Sequence, residues 1–198
     1  MQLKATAIVL AARPHGENAV ILRALTQEAG LVAAYVAGGQ GRRLRPVVIP
    51  GNAVEADIRA RSASQLPFGK VELVTSRGPW LNEPLPAAAI LWATALTATA
   101  LPERNPYPSL YDALGGLLDA ICHAPSARGW APAMLSYEAL LLHELGYGGA
   151  KPEAEDLAGT IAAMRRLGPA LERYLLADRH GDAMAARGRL LERLARIA

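Results

Sequence analysis

Apolar and polar residues alternate along several short segments in the first 77 residues of the chain, and this period of two predicts β-strands. The clearest case is residues 53–61, where Val54, Ala56 and Ile58 alternate with charged residues. Such a pattern is typical of an antiparallel strand with one face on a core and the other in solvent. The other predicted strands cover residues 4–10, 19–26, 31–37 and 68–77.

Turns rich in glycine separate these segments. The turn at residues 26–30 ends in Gly30, which can adopt the positive φ that closes a hairpin. Five short strands at near-regular spacing, with no long helix among them, predict a small closed barrel. A five-stranded OB-fold, which presents a face and loops to oligonucleotides, is the first expectation. SH3-like barrels and small sandwiches fit the same pattern.

The hydrophobic period changes after Gly78 from two residues to that of an α-helix. Predicted helices cover residues 87–101, a segment capped by Ser109, a segment opened by Pro132, and residues 153–164, 169–177 and 182–197. A core stripe is expected on the second of these helices, formed by Leu110, Leu114, Leu117, Leu118 and Ile121. We therefore predict an α+β protein of two domains, an OB-fold at residues 1–78 and an all-α helical bundle at residues 79–198.

Charge is distributed unevenly between these two parts. The 52% hydrophobic and 20% charged content is that of a globular chain rather than a disordered one. Residues 1–80 contain ten Lys and Arg against five Asp and Glu, a net charge of +5, so the remainder carries −2 of the total of +3. A basic first part predicts an anionic partner.

Arginines are concentrated where a glycine-rich loop follows the third strand. The candidate DNA-binding residues are Arg42, Arg43 and Arg45 in this loop, and Arg59 and Arg61 on one face of a later strand. A guanidinium group pairs with phosphate through two parallel donors, and a backbone without side chains lets a phosphate chain approach closely. Tyr35 and Phe68 are the only aromatic side chains before Trp80 that suit base stacking, so we expect salt-sensitive, sequence-indifferent binding to the backbone. A flexible, solvated loop is the alternative interpretation.

Catalytic and metal-binding patterns are not found in the sequence. The single cysteine, Cys122, excludes an internal disulfide and a site with several thiolates, which suits a reducing cytoplasm. Neighbouring Cys122 and His123 would point about 100° apart on a helix, which does not suit a nucleophile and its base. The most apolar window, residues 86–101, is shorter than the ~20 residues that span a bilayer. We expect no catalytic residue, no metal, no cofactor and no membrane association.

Several segments, in order, resemble the signature of the RecO family of bacterial recombinational-repair mediators, and especially its alphaproteobacterial branch. They are Leu25-Thr26, residues 28–32, residues 36–39 with Arg42-Arg43, residues 50–56, residues 59–61, residues 66–69, Val71-Glu72 and residues 137–148. The match departs from the family in its cysteines, and the tail of the chain matches least well. Many members carry a four-cysteine zinc module after the helix that ends in Leu145-Gly146-Tyr147, and this chain has no cysteines there.

The resemblance implies an N-terminal OB-fold followed by a helical domain. It implies a non-enzymatic, cytoplasmic and nucleoid-associated protein that binds single- and double-stranded DNA and anneals complementary strands. With RecR, it would help load RecA onto DNA that is coated by single-stranded-DNA-binding protein. Its helical domain would bind the acidic C-terminal tail of single-stranded-DNA-binding protein. RecF is a further candidate partner. Among the matching positions, we expect the main DNA contacts from Arg42, Arg43 and Arg45. Arg59 and Arg61 come second.

Two other function classes stay open at this point. One is an RNA-binding or ribosome-associated OB-fold protein, which a preference for structured RNA would indicate. The other is an enzyme that uses Cys122, His143 or Glu144, which a turnover abolished by Cys122→Ser would indicate.

Overall fold

A computed structural model of the chain describes residues 2–60, 62, 65–148, 152–177 and 180–198, with residues 180–182 described by their backbone alone. The chain forms two compact units. The first comprises Met1–Pro79 together with Leu101–Tyr111, and the second comprises Trp80–Ala100 together with Asp112–Ala198. The division into domains at residues 1–78 and 79–198 stays a prediction.

The first unit is built on a five-stranded sheet. Its strands are β1 (Gln2–His15), β2 (Ala19–Thr26), β3 (Gly30–Val36), β4 (Ala53–Arg59) and β5 (Phe68–Thr75). They form a closed barrel in the order β1-β2-β3-β5-β4, in which β4 returns to pair with β1. All neighbours are antiparallel except β3 and β5. This architecture confirms the predicted OB-fold barrel.

The predicted alternation along β4 is confirmed, because Val54, Ala56 and Ile58 are completely buried in the barrel core. β1 is longer than predicted, because its first half pairs with β4 and its second half pairs with β2. Residues 2–8 pair with β4, and residues 7–15 pair with β2, with a register shift between residues 9 and 11. A bulge of this kind bends a strand, which lets one strand continue around a barrel corner.

The β2–β3 hairpin closes at Gly30, as predicted from the sequence. Gly30 has a φ of +67°, and a Cβ atom there would lie 1.9 Å from the backbone oxygen of Asn105. The segment that contains Asn105 extends the sheet, since Glu103 forms a parallel bridge with Leu31 and the backbone N–H of Arg104 donates to the Leu31 oxygen at 2.8 Å. Residues 101–111 are thus part of the barrel unit although they follow the first long helix.

The second unit is helical. Its elements are α1 (Pro84–Ala100), α2 (Pro108–His123, which begins in the first unit), α3 (Ala131–Glu144), α4 (Leu157–Leu175) and α5 (His180–Ala195). The five residues predicted to form the core stripe of α2 are all buried. Among the described residues, no helix has the length and apolar character that crossing a membrane requires.

The sequence predicted two helices, at residues 153–164 and 169–177, where the structure has the single helix α4. Pro169 lies inside α4. Proline usually ends a helix because it lacks an N–H and because its ring clashes with the preceding residue. Here that residue is Gly168, which has no Cβ atom to clash, and Leu171 is fully buried beyond it. The prediction of a break at this proline was therefore wrong.

A buried polar network lies at the centre of the helical unit. Glu138 on α3 is completely buried, and its Oε1 atom accepts hydrogen bonds from Trp92 Nε1 at 2.8 Å and Arg187 Nε at 2.9 Å. Arg187 Nη2 donates to Glu138 Oε2 at 2.8 Å and also to the backbone oxygen of Met164. The Glu138 carboxylate therefore joins α1, α3 and α5, and the Arg187 guanidinium adds α4 to the network.

Candidate nucleic-acid interface

The arginine-rich segment joins β3 to β4 as a series of tight turns that pack on the barrel. The backbone N–H groups of Leu44 and Arg45 donate to the Gly41 oxygen at 3.2 and 2.9 Å, and that of Val48 donates to the Leu44 oxygen at 3.0 Å. Leu44 packs against the barrel core, and Val47 and Val48 belong to it. We name residues 37–52 the arginine loop. Its backbone hydrogen bonds and packing describe an ordered segment.

Gln40 attaches the first half of the arginine loop to the β1–β2 turn. Its Nε2 atom donates to the backbone oxygens of Gly16 at 3.1 Å and Ala19 at 2.9 Å. The backbone N–H of Gln40 donates to the Asn18 oxygen at 3.1 Å. Three hydrogen bonds thus fix the first half of the arginine loop to the β1–β2 turn.

Asn52 fixes the other end of the arginine loop. Its side chain is fully buried, and its Nδ2 atom donates to the backbone oxygens of Pro46 at 2.9 Å and Val47 at 3.0 Å. Its Oδ1 atom accepts from the backbone N–H of Arg77 at 2.8 Å. One buried amide therefore holds the end of the arginine loop against the segment that follows β5.

The three loop arginines are exposed and carry unneutralised charge. Within the described part of the chain, no carboxylate oxygen forms a salt bridge with Arg42, Arg43 or Arg45. Arg43 and Lys70 border one cavity of about 660 Å³, which is also lined by Leu44 and Leu73. The structure therefore places one predicted loop cation, Arg43, beside Lys70, which the sequence interpretation had not selected.

Arg59 differs from the loop arginines because it already has an anionic partner. Its Nε and Nη2 atoms donate to Asp57 Oδ1 and Oδ2 at 2.8 and 2.7 Å, a two-pronged pair within one strand. This hydrogen bonding lowers the pKa of Asp57 and raises the pKa of Arg59, so both groups stay charged at neutral pH. A phosphate at Arg59 would compete with Asp57. Arg61, the fifth predicted residue, lies outside the described residues.

Aromatic rings meet on the outer surface of the barrel, a feature that sequence reasoning missed. The ring centroids of Tyr35 and Phe68 lie 5.3 Å apart, and those of His15 and Tyr35 lie 5.9 Å apart, both in edge-to-face geometry. The sequence placed His15 in a turn, whereas it is the last residue of β1. Strand alternation could have placed Tyr35 and Phe68 on the outer face, but only the register shows that they are neighbours.

The helical unit contains a second candidate site, a groove of about 600 Å³. Apolar side chains, among them Trp80, Leu85 and Trp130, form part of its lining. Arg193 and Arg196 near the end of α5 and the carboxylate of Glu83 line it as well. The groove also includes Cys122, from the pair considered for catalysis. In the described part of the chain, no three His, Cys, Asp or Glu side chains converge as metal ligands would.

The strand order and the loop between β3 and β4 define the first unit as an OB-fold with a basic loop, joined to a helical unit. Comparison with known families agrees with this class. The family described as "Recombination protein O N terminal" matches residues 1–77, and the one described as "Recombination protein O C terminal" matches residues 83–149. The chain belongs to the RecO family, which confirms the resemblance inferred from the sequence.

Curated relatives carry the same family name. Proteins named "DNA repair protein RecO" are 45% identical over 144 residues in Rhodospirillum centenum, 41% over 150 residues in Phenylobacterium zucineum and 40% over 148 residues in Paracoccus denitrificans. These alignments cover 72%, 75% and 75% of this chain, and 56%, 60% and 60% of the three relatives. The chain thus spans less than two thirds of the length of the relatives that it matches.

Proposed function

We propose that this chain is a DNA-repair and recombination protein that acts by binding, without catalysis, and that its barrel holds the backbone of single- and double-stranded DNA. The observation that carries the proposal is the arginine loop. Arg42, Arg43 and Arg45 are exposed and, among the described residues, unpaired with carboxylates, on a segment tied to the barrel by Gln40 and Asn52. Positive charge held in place on an OB-fold suits a phosphate chain.

Binding of this kind would promote annealing. Two complementary strands repel each other through their phosphates, and a loop that neutralises part of this charge lets them approach and pair. As a family member, the protein would act with RecR to load RecA onto DNA coated by single-stranded-DNA-binding protein, with RecF as a further candidate partner. These steps need DNA contact first, so the arginine loop is the part to test first.

Reversing charge in the arginine loop is expected to weaken DNA binding by at least about tenfold at low salt, because each replaced arginine loses a phosphate contact and adds a repulsion. The variant is Arg42→Glu with Arg43→Glu, measured by fluorescence anisotropy with labelled single strands and duplexes across a salt series. The slope of log affinity against log salt should also fall by about 0.7 per lost contact for a single strand. The loss should be similar for every sequence.

A matched control is Arg165→Glu with Arg166→Glu, which makes the same charge change at two adjacent exposed arginines of α4. This control should bind DNA nearly as well as the unaltered chain. Unchanged affinity of the loop variant at low salt would overturn the assignment. A clear preference of the unaltered chain for structured RNA over single-stranded DNA would favour the RNA-binding alternative instead.

We also propose that the groove of the helical unit docks the acidic, partly apolar C-terminal tail of single-stranded-DNA-binding protein. Apolar walls from Trp80 and Trp130 suit the apolar side chains of such a tail, and Arg193 and Arg196 suit its carboxylates. The groove therefore offers an acidic peptide two cations against one carboxylate, that of Glu83. The family resemblance supplies the identity of this partner.

Arg193→Glu with Arg196→Glu is expected to weaken binding of a synthetic tail peptide by about tenfold or more, because like charges would then face each other across the groove. Isothermal titration calorimetry measures this loss, and the Arg165→Glu, Arg166→Glu variant is again the control. Equal affinity of the two variants for the peptide would show that the peptide does not bind in this groove.

A further inference from the structure

A row of outward-facing side chains crosses five paired strand segments of the barrel. Strand pairing sets Arg13 opposite Ile21, Ile21 opposite Tyr35, Tyr35 opposite Phe68, and Phe68 opposite Arg59. Directly opposed residues project from the same face of a sheet. Their chain neighbours Leu22 and Ala34 are buried in the core, so the row lies on the outer face. We name these five residues the aromatic row; a guanidinium group lies at each end and two rings lie in the middle.

The two rings are held in place while remaining accessible. Phe68 is 66% exposed, the largest value among the exposed large hydrophobic side chains of the described residues. Its ring contacts Tyr35, which in turn contacts His15, so three rings form one continuous surface patch. An exposed phenylalanine gains little from the hydrophobic effect in the free protein. Its exposure is explained if another molecule covers it.

Backbone interactions fix the ring pair at the junction of β3 and β5. The backbone N–H of Tyr35 donates to the Pro67 oxygen at 2.7 Å, immediately before Phe68. The next residue, Gly69, allows the strands to approach closely, since a Cβ atom there would lie 3.0 Å from Ala34 Cβ. The backbone that carries the two rings is therefore fixed before a ligand binds, and such preorganisation favours binding.

We propose that the aromatic row is a stacking platform for unpaired DNA bases, an inference that rests on the proposed DNA-binding function and adds a preference to it. Bases of a single strand present their faces to aromatic rings, whereas bases of a duplex are already stacked on each other. Phe68 and Tyr35 contact the bases, and Arg13 lies at the end of the row where a phosphate would pass. Arg59, at the other end, is paired with Asp57, with which a phosphate there would compete. Because every base has a face that stacks, the platform distinguishes single strands from duplexes without reading sequence.

A base-free strand tests this inference with the unaltered chain. The full chain is titrated with a labelled oligothymidine strand and with an abasic strand of equal length, which has the same phosphates and no bases. Stacking predicts about tenfold tighter binding of the oligothymidine strand, in the range found when stacking residues are removed from single-strand binders. A strand that contains 2-aminopurine should also lose fluorescence on binding, since stacking quenches this base.

Variants of Phe68 test whether the aromatic row causes the preference for the strand with bases. Phe68→Leu keeps an apolar side chain and removes the ring, so it should remove the preference for the base-containing strand and leave affinity for the abasic strand unchanged. Phe68→Tyr should restore the preference. Val74→Ala, at an exposed apolar residue of the same strand outside the row, is the matched control and should retain it.

The outcomes separate this inference from the function on which it rests. Equal affinity of the unaltered chain for oligothymidine and abasic strands would overturn the stacking platform while leaving DNA binding by the arginine loop intact. A preference that survives Phe68→Leu would likewise overturn it. Failure of the unaltered chain to bind any strand at low salt would overturn both proposals.

Discussion

Replacing Glu138 with Ala is expected to reduce the free energy of unfolding of the helical unit by about 3–5 kcal/mol, the cost of breaking a buried ion pair by removing one partner. Glu138 is completely buried and accepts from both Trp92 and Arg187. The Arg187 guanidinium is almost completely buried, and the loss of Glu138 would leave its charge there without a counter-charge. It would also deprive the Trp92 N–H of its acceptor.

Urea and thermal unfolding, followed by far-ultraviolet circular dichroism, measure this loss. The control is Glu192→Ala at an exposed position of α5, where a change within about 0.5 kcal/mol is expected. The double variant Glu138→Leu with Arg187→Met should be more stable than Glu138→Ala, because it removes both charges and leaves none buried alone. A loss below about 1 kcal/mol for Glu138→Ala would show that water or rearrangement satisfies Arg187.

Replacing Asn52 with Ala is expected to cost the barrel unit about 3 kcal/mol, because it removes partners from two backbone oxygens and one backbone N–H in a buried place. The affected groups belong to Pro46, Val47 and Arg77. The same change removes three of the contacts that hold the end of the arginine loop on the barrel. We therefore expect weaker DNA binding even under conditions in which the variant is fully folded.

Two measurements on one variant check this expectation. Chemical unfolding gives the loss of stability, and anisotropy at low temperature and low salt gives the affinity of the folded protein. Asn18→Ala, at an exposed asparagine of the β1–β2 turn, is the control for both. A folded Asn52→Ala protein that binds DNA as tightly as the unaltered chain would show that loop position does not matter for binding.

Local sequence patterns were sufficient to predict the barrel strands and most helices. The period of two along β4, for example, is determined by the barrel core that buries Val54, Ala56 and Ile58. At Pro169 the local rule failed, because burial on both sides of the proline and a preceding glycine favoured a continuous α4. Propensity is a weak guide where packing decides.

The candidate site was less predictable than the fold. The arginines of the loop could be selected by residue type, and Arg59 beside Asp57 could be placed on one strand face. Whether Arg59 forms an ion pair with Asp57 depends on side-chain geometry, which sequence spacing does not determine. The contact between Tyr35 and Phe68 depends on a parallel pairing of β3 with β5 at one register position, between residues far apart in sequence.

Residues 101–111 belong to the barrel unit although α1 separates them from β5. Biosynthesis must therefore proceed well beyond the last strand before the barrel is complete. A nascent chain that has emerged only to residue 79 has all five strands, but the backbone oxygen of Leu31 still lacks the N–H of Arg104. On the ribosome, α1 is made before the last segment of the barrel unit. A gene fragment cut directly after the fifth strand would consequently encode the five strands without that segment, and a fragment for the whole barrel unit should extend through Tyr111.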